Sequence, residues 1–99
     1  MSIRRDYVCA AAEAVRMELW NSGIRERHAA ACMGLSNSTF NSFLNADYTR
    51  LHRKTLDAIL SVAIWSERTR CLLEAVRDYD ELAMSGKLPS ISPGKFAAE

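Results

Sequence analysis

Apolar residues recur along this chain with the spacing of amphipathic helices, and no stretch has the two-residue alternation of a strand. The first stripe is Val8, Ala12, Val15 and Leu19, at i, i+4, i+7 and i+11. This periodicity predicts five helices, over residues 5–21, 25–33, 37–44, 53–64 and 67–84. We therefore expect an all-α fold, with 1–85 as one domain and 86–99, which holds both prolines, as a flexible tail.

Small and polar residues separate the predicted helices. Gly34 follows the second helix, where a left-handed residue commonly ends a helix, and Ser36 is a good N-cap for the third. Ser66 is predicted to cap the fifth helix, with a helix continuous across this position as the alternative. Trp20, with Ile24, is expected to cover the core at the end of the first helix.

The two short helices on either side of Gly34 form the centre of the chain. Three apolar residues share a face of each: Ala29, Ala30 and Met33 in the first, and Phe40, Phe43 and Leu44 in the second. A short turn makes the two helices cross closely, which requires a small residue at their contact, and Ala30 provides one. This is the pattern of a helix-turn-helix.

The same stretch resembles the lambda repressor/Cro-like (XRE-type) DNA-binding domains. The resemblance covers about residues 5–80, and its matched positions are Ala30, Gly34, Leu35, Phe40, Phe43, Leu44 and Asn45. It implies a five-helix, lambda-repressor-like DNA-binding domain with a central helix-turn-helix. The implied partner is double-stranded DNA, read by the third helix in the major groove.

The resemblance also assigns residue roles. The base-reading positions that it implies are Asn37, Ser38, Asn41 and Ser42. The phosphate-contacting positions, taken from the resemblance and from the basic flanks, are Arg25, Arg27, Ser36, Thr39, Asn45, Arg50, Arg53 and Lys54. Because the third helix has no Arg or Lys, we expect a half-site read mainly through A·T pairs. Glu26 departs from the family, which often has Gln there. Either Glu26 pairs with a neighbouring Arg, or the docking differs.

Charge is distributed unevenly, although the whole chain carries only +1. Residues 25–54 hold five Arg and Lys against two Asp and Glu, whereas residues 66–85 hold three against five. Binding to DNA must therefore come from this local asymmetry, with the first region able to face phosphate and the second water or a partner.

The fifth helix has more apolar surface than a small domain needs. We interpret it as the contact of a homodimer, through Leu72, Val76, Tyr79 and Ala83, with simple cover of the core as the alternative. A dimeric repressor on a near-palindromic operator, of phage, prophage or antitoxin type, is the expected function. The alternative is a protein-binding module of the same fold that sequesters a toxin or another regulator.

Other chemistry has little support in the sequence. The three cysteines form no CxxC motif and are expected to be buried or half-buried free thiols, and no spacing of His and Cys suggests a metal site. There is no nucleophile elbow and no glycine-rich phosphate loop, so we expect neither an enzyme nor a cofactor. No apolar run suggests a signal peptide or a membrane span, and we expect a cytoplasmic location.

Overall fold

The structure is a computed structural model that describes residues 4–47 and 51–91. Within these ranges the chain is all-helical, with six helices and no strand, which confirms the predicted class. The helices are α1 (Arg4–Ser22), α2 (Glu26–Met33), α3 (Asn37–Leu44), α4 (Arg53–Leu60), α5 (Glu67–Arg77) and α6 (Tyr79–Ser85). None of the helices described in these ranges is long and apolar enough to cross a membrane.

The region between α4 and α5 departs from the prediction, because α4 stops at Leu60 rather than near residue 64. The Trp65 side chain folds back into the core, and its indole N–H donates to the Ile59 carbonyl at 2.7 Å. Ser66 then caps α5, as predicted, by accepting from the Thr69 N–H at 3.3 Å. The alternative of a continuous helix is therefore wrong.

The core forms where α1 packs against α5, with α3 against α1 and α4 against α5. Its largest fully buried side chains come from four helices: Val8, Val15, Phe40, Phe43, Leu56, Ile59, Leu73 and Val76. The apolar stripe predicted for the first helix thus faces this core. Burial of such side chains from water supplies the main stabilisation of the fold.

Burial of α5 corrects the predicted dimer contact. Leu72 and Val76 are 3% and 0% exposed, so they pack inside their own chain and offer no surface to a second copy. The predicted long helix also breaks at Asp78, which separates α5 from α6. Tyr79 is half-buried against the ring of Tyr7, with centroids 5.9 Å apart, and Ala83 is exposed.

The first part of the predicted flexible tail is held against the body of the protein. The Tyr7 hydroxyl donates to the Pro89 carbonyl at 2.8 Å, and the Arg68 guanidinium donates to the Ser90 carbonyl at 3.1 Å. Ile91 is buried beside α1 and α5. These residues are anchored rather than loose, and residues 92–99 lie outside the described part of the chain.

Candidate nucleic-acid interface

The corner between α2 and α3 is built by Gly34 and Ser36. Gly34 has φ +72°, a left-handed conformation that a residue with a Cβ adopts only at a cost. An added Cβ would meet no atom within 4 Å, so the requirement for glycine here is conformational rather than steric. The Leu35 N–H donates to the Ala30 carbonyl at 2.9 Å and closes the end of α2.

Ser36 starts α3 and is fully engaged in doing so. Its hydroxyl oxygen accepts from the Thr39 N–H at 3.1 Å, and its hydroxyl hydrogen is donated to the Thr39 hydroxyl at 2.8 Å. The predicted cap is confirmed. To donate a hydrogen bond to phosphate, the Ser36 hydroxyl would have to give up its bond to the Thr39 hydroxyl. Among the described residues the Thr39 hydroxyl has no acceptor of its own, so it can donate to phosphate directly.

The two faces of α3 differ sharply. Phe40, Phe43 and Leu44 point inward and are almost fully buried, and the two phenyl rings lie in a near-parallel stack with centroids 6.3 Å apart. The outward positions Asn37, Ser38, Thr39 and Asn41 are exposed, and Ser42 is half-buried. The helix therefore presents amides and hydroxyls on its outer face, while the two buried phenyl rings on its inner face anchor it to the core.

The far end of α3 is fixed by α1. The Arg16 guanidinium donates to the Leu44 carbonyl at 2.9 Å, which satisfies one of the carbonyls left open at the end of a helix. Asn45 follows as the C-terminal cap, with its N–H donating to the Asn41 carbonyl, and its side chain is exposed. Both ends of α3 are thus set by specific hydrogen bonds.

Two grooves run along the outward face of α3. One, of about 440 Å³, joins Glu26 and Arg27 of α2 to Asn37, Ser38 and Asn41. The other, of about 310 Å³, joins α3 to the start of α4 and is lined by Ser38, Thr39, Ser42, Phe43, Asp47, Leu51, His52 and Thr55. The structure thus brings the predicted base-reading residues between the first turns of α2 and α4.

The helices that flank these grooves begin without a side-chain cap. Arg25 and His52 occupy the cap positions of α2 and α4, and neither side chain bonds to its helix, whereas Ser36 and Ser66 cap α3 and α5. The N–H groups at the start of α2, and those of Arg53 and Lys54 at the start of α4, therefore have no side-chain cap and can face an anion, whereas the Thr55 N–H donates to the His52 carbonyl at 3.0 Å.

Glu26 lies in the first turn of α2, beside Arg27 and the α3 side chains. Among the described residues it forms no ion pair with Arg25 or Arg27. Its carboxylate therefore remains as a negative charge within the groove. Of the other predicted phosphate contacts, Lys54 is exposed, and Arg50 lies outside the described residues.

Arg53 belongs to a charged cluster at the junction of α5 and α6. Its guanidinium lies 3.3 Å from the Asp78 carboxylate. Arg77 donates to both oxygens of Asp78, at 3.2 and 3.0 Å, and to Asp57 at 3.0 Å. Asp57 and Arg77 are 20 residues apart in the chain, so no local sequence signal could have revealed this cluster.

Hydrogen bonds from Arg77 hold the pKa of the Asp78 carboxyl below its usual value. Partial burial of Asp78 opposes this shift, and the positive charges of Arg77 and Arg53 add to it. A carboxyl whose pKa is depressed by folding stabilises the protein above its unfolded pKa of about 3.9, and the contribution disappears as pH falls through the folded value.

Asp78→Asn will therefore destabilise the protein at pH 6, and the difference from the wild type will shrink as pH falls toward 3. Urea unfolding of both proteins at the two pH values measures this. A difference that stays constant with pH would show that the ionised carboxylate contributes nothing to stability.

Trp20 is a surface feature that the sequence interpretation missed. It is 79% exposed and does not cover the core, which Leu19 closes at this end instead. The indole borders a groove of about 570 Å³ that is lined by Arg16, Leu19, Gly23, Ile24, Arg25 and Glu26. This groove adjoins the groove between α2 and α3, because Glu26 lines both.

All three cysteines are free thiols, but Cys32 and Cys71 are exposed rather than buried or half-buried. In the described ranges no three His, Cys, Asp or Glu side chains are grouped as metal ligands. Comparison of the chain with protein-family models, with curated proteins and with solved structures finds no match.

Proposed function

We propose that the protein is a sequence-specific DNA-binding transcriptional regulator in which α2 and α3 act as a helix-turn-helix. One observation carries the proposal. The outward face of α3 holds exposed amides and hydroxyls, and it lies between the starts of α2 and α4, which have no side-chain cap. Recognition of a DNA duplex requires side chains that contact the base edges and groups beside them that bind the phosphates.

In this proposal Asn37 and Asn41 read the bases. An asparagine amide can donate to N7 and accept from N6 of adenine at the same time, whereas a serine hydroxyl discriminates little. With no Arg or Lys on α3, contacts to guanine are weak and A·T pairs dominate the half-site. Arg25, Arg27 and Lys54, all exposed, bind the phosphates on either side.

The regulator is proposed to act as a homodimer. None of the residues of α6 is buried, and Ala83 and Met84 on this helix are exposed, so α6 offers the apolar surface that the core-facing side of α5 does not. Two copies place two α3 helices about 34 Å apart on a near-palindromic operator. The proposed mechanism is repression by occlusion of a promoter, in a phage, prophage or antitoxin setting.

The test is selection of binding sites from random duplex DNA, followed by titration at several salt concentrations. Asn41→Ala should weaken binding to the selected site by roughly 1–3 kcal/mol and relax the preference at one base pair. Asn21→Ala removes another exposed asparagine, from α1, and should leave affinity unchanged.

Two results contradict this function. Binding that does not fall with salt is not binding to the phosphate backbone. A selected half-site composed only of G·C pairs, or an Asn41→Ala protein that binds like the wild type, would show that α3 does not read DNA as proposed.

A protein-binding module is the second candidate, and the exposed Trp20 favours it. Tryptophan is enriched at the centres of protein interfaces, and here it stands beside apolar walls formed by Leu19 and Ile24. In this case the purified protein would bind no duplex in a salt-dependent manner, and a toxin or regulator would occupy the groove. The same salt titration separates the two candidates.

A further inference from the structure

Arg53 lies between two possible binding partners: a DNA phosphate beside α3 and the Asp78 carboxylate. It is the first residue of α4, directly after His52, which lines a groove with Ser38 and Ser42 of α3. Its side chain nevertheless lies at the junction of α5 and α6, near Asp78 and Tyr79. A contact of the Arg53 guanidinium with phosphate beside α3 would therefore compete with its contact to Asp78.

Asp78 is the fixed member of this ion pair. Its carboxylate receives two hydrogen bonds from Arg77 and is 19% exposed, whereas the Arg53 side chain is 68% exposed. Asp78 also lies between two helices, with φ −107° and ψ 29°, outside the regular helical geometry. Arg77 therefore holds the Asp78 carboxylate in place independently of Arg53.

The cluster as a whole carries no net charge, because the two guanidinium groups of Arg53 and Arg77 face the two carboxylates of Asp57 and Asp78. A DNA phosphate that approaches the start of α4 on this side meets a neutralised Arg53. A carboxylate and a phosphate offer the same kind of acceptor oxygens to a guanidinium, so the two compete directly.

We propose that Asp78 occupies Arg53 in the free protein as a substitute for a DNA phosphate and thereby lowers the affinity for DNA. The inference rests on the proposed function. Binding of DNA exchanges one partner of Arg53 for another, and the ion pair at the α5–α6 junction sets how much of the charge on Arg53 reaches the duplex. Because the Arg53 side chain is largely exposed to water, the competition is modest in size.

The experiment is a titration of an A·T-rich duplex, chosen by selection with the wild-type protein, at several salt concentrations. Asp78→Asn should tighten binding about two- to fivefold at low salt, the range expected for release of an exposed ion pair. It should also steepen the dependence of log K on log salt, by at most about one, because more of the charge on Arg53 then neutralises phosphate.

Asp57→Asn is the matched control, since it makes the same change in net charge within the same cluster but removes a partner of Arg77 only. It should leave affinity and salt slope near those of the wild type. In an Arg53→Ala background, Asp78→Asn should have no further effect. Equal gains from Asp57→Asn and Asp78→Asn would show a general effect of charge and overturn the inference, as would weaker binding by a folded Asp78→Asn protein.

A second comparison avoids any variant of Asp78 that fails to fold. Arg53 and Lys54 are the first two residues of α4, and both are exposed. If Asp78 holds Arg53 back, Arg53→Ala should reduce affinity and salt slope less than Lys54→Ala does. A larger loss for Arg53→Ala overturns the inference. A wild-type protein with no salt-dependent DNA binding contradicts the proposed function itself, and this inference with it.

Discussion

Trp65→Ala will destabilise the protein by about 3–5 kcal/mol, whereas Trp20→Ala will change the free energy of unfolding by less than about 0.5 kcal/mol. The two tryptophans are 6% and 79% exposed. Truncation of Trp65 removes a large buried side chain and leaves a cavity. It also removes the N–H that donates to the Ile59 carbonyl at 2.7 Å in a buried environment. Truncation of Trp20 removes a ring that is already mostly in water.

Chemical denaturation of the two variants, followed by circular dichroism, measures this difference. Trp65→Phe separates the two contributions at Trp65, since it keeps an aromatic ring but loses the donor; its cost should lie between those of the two alanine variants. Acrylamide should quench the fluorescence of Trp20 and leave that of Trp65 largely unaffected. A cost for Trp20→Ala equal to that for Trp65→Ala would contradict the arrangement of the end of α1.

The centre of the fold could be predicted from sequence because its signals are local. Gly34, Ser36 and the spacing of Phe40 and Phe43 specify where α2 ends, where α3 begins and which side of α3 is buried. Each signal acts within one or two turns of helix, through a cap, a left-handed residue or a helical period. These are also the residues that position the candidate site.

The sequence predictions fail where the position of a side chain depends on packing between residues far apart in the chain. Apolar character alone does not tell whether Leu72 and Val76 face a second copy or their own α1, and the tertiary packing decides this. The ion pair between Arg53 and Asp78 joins the start of α4 to the junction of α5 and α6, which the sequence gives no reason to bring together. Trp20 differs from its prediction for another reason: its size favours burial, but its angular position on α1 lies away from the side that holds Val15 and Leu19.

The final prediction uses two adjacent residues of α3 with opposite roles. Phe40→Ala will cost about 3–5 kcal/mol of stability, because the ring is fully buried and stacked on Phe43 beneath the outward face. Asn41→Ala will leave stability within about 0.5 kcal/mol, since the side chain is exposed and alanine suits a helix at least as well as asparagine.

The two variants should therefore lose DNA binding for different reasons. For Phe40→Ala the loss of DNA binding should follow the fraction of unfolded protein. Cooling toward the temperature of maximum stability should therefore restore binding. For Asn41→Ala the loss should persist in fully folded protein. Melting curves recorded with and without the selected duplex measure both effects. A Phe40→Ala protein that is as stable as the wild type would mean that the two buried phenyl rings do not anchor α3. The outer face of α3 would then lack the rigidity that reading of DNA bases requires.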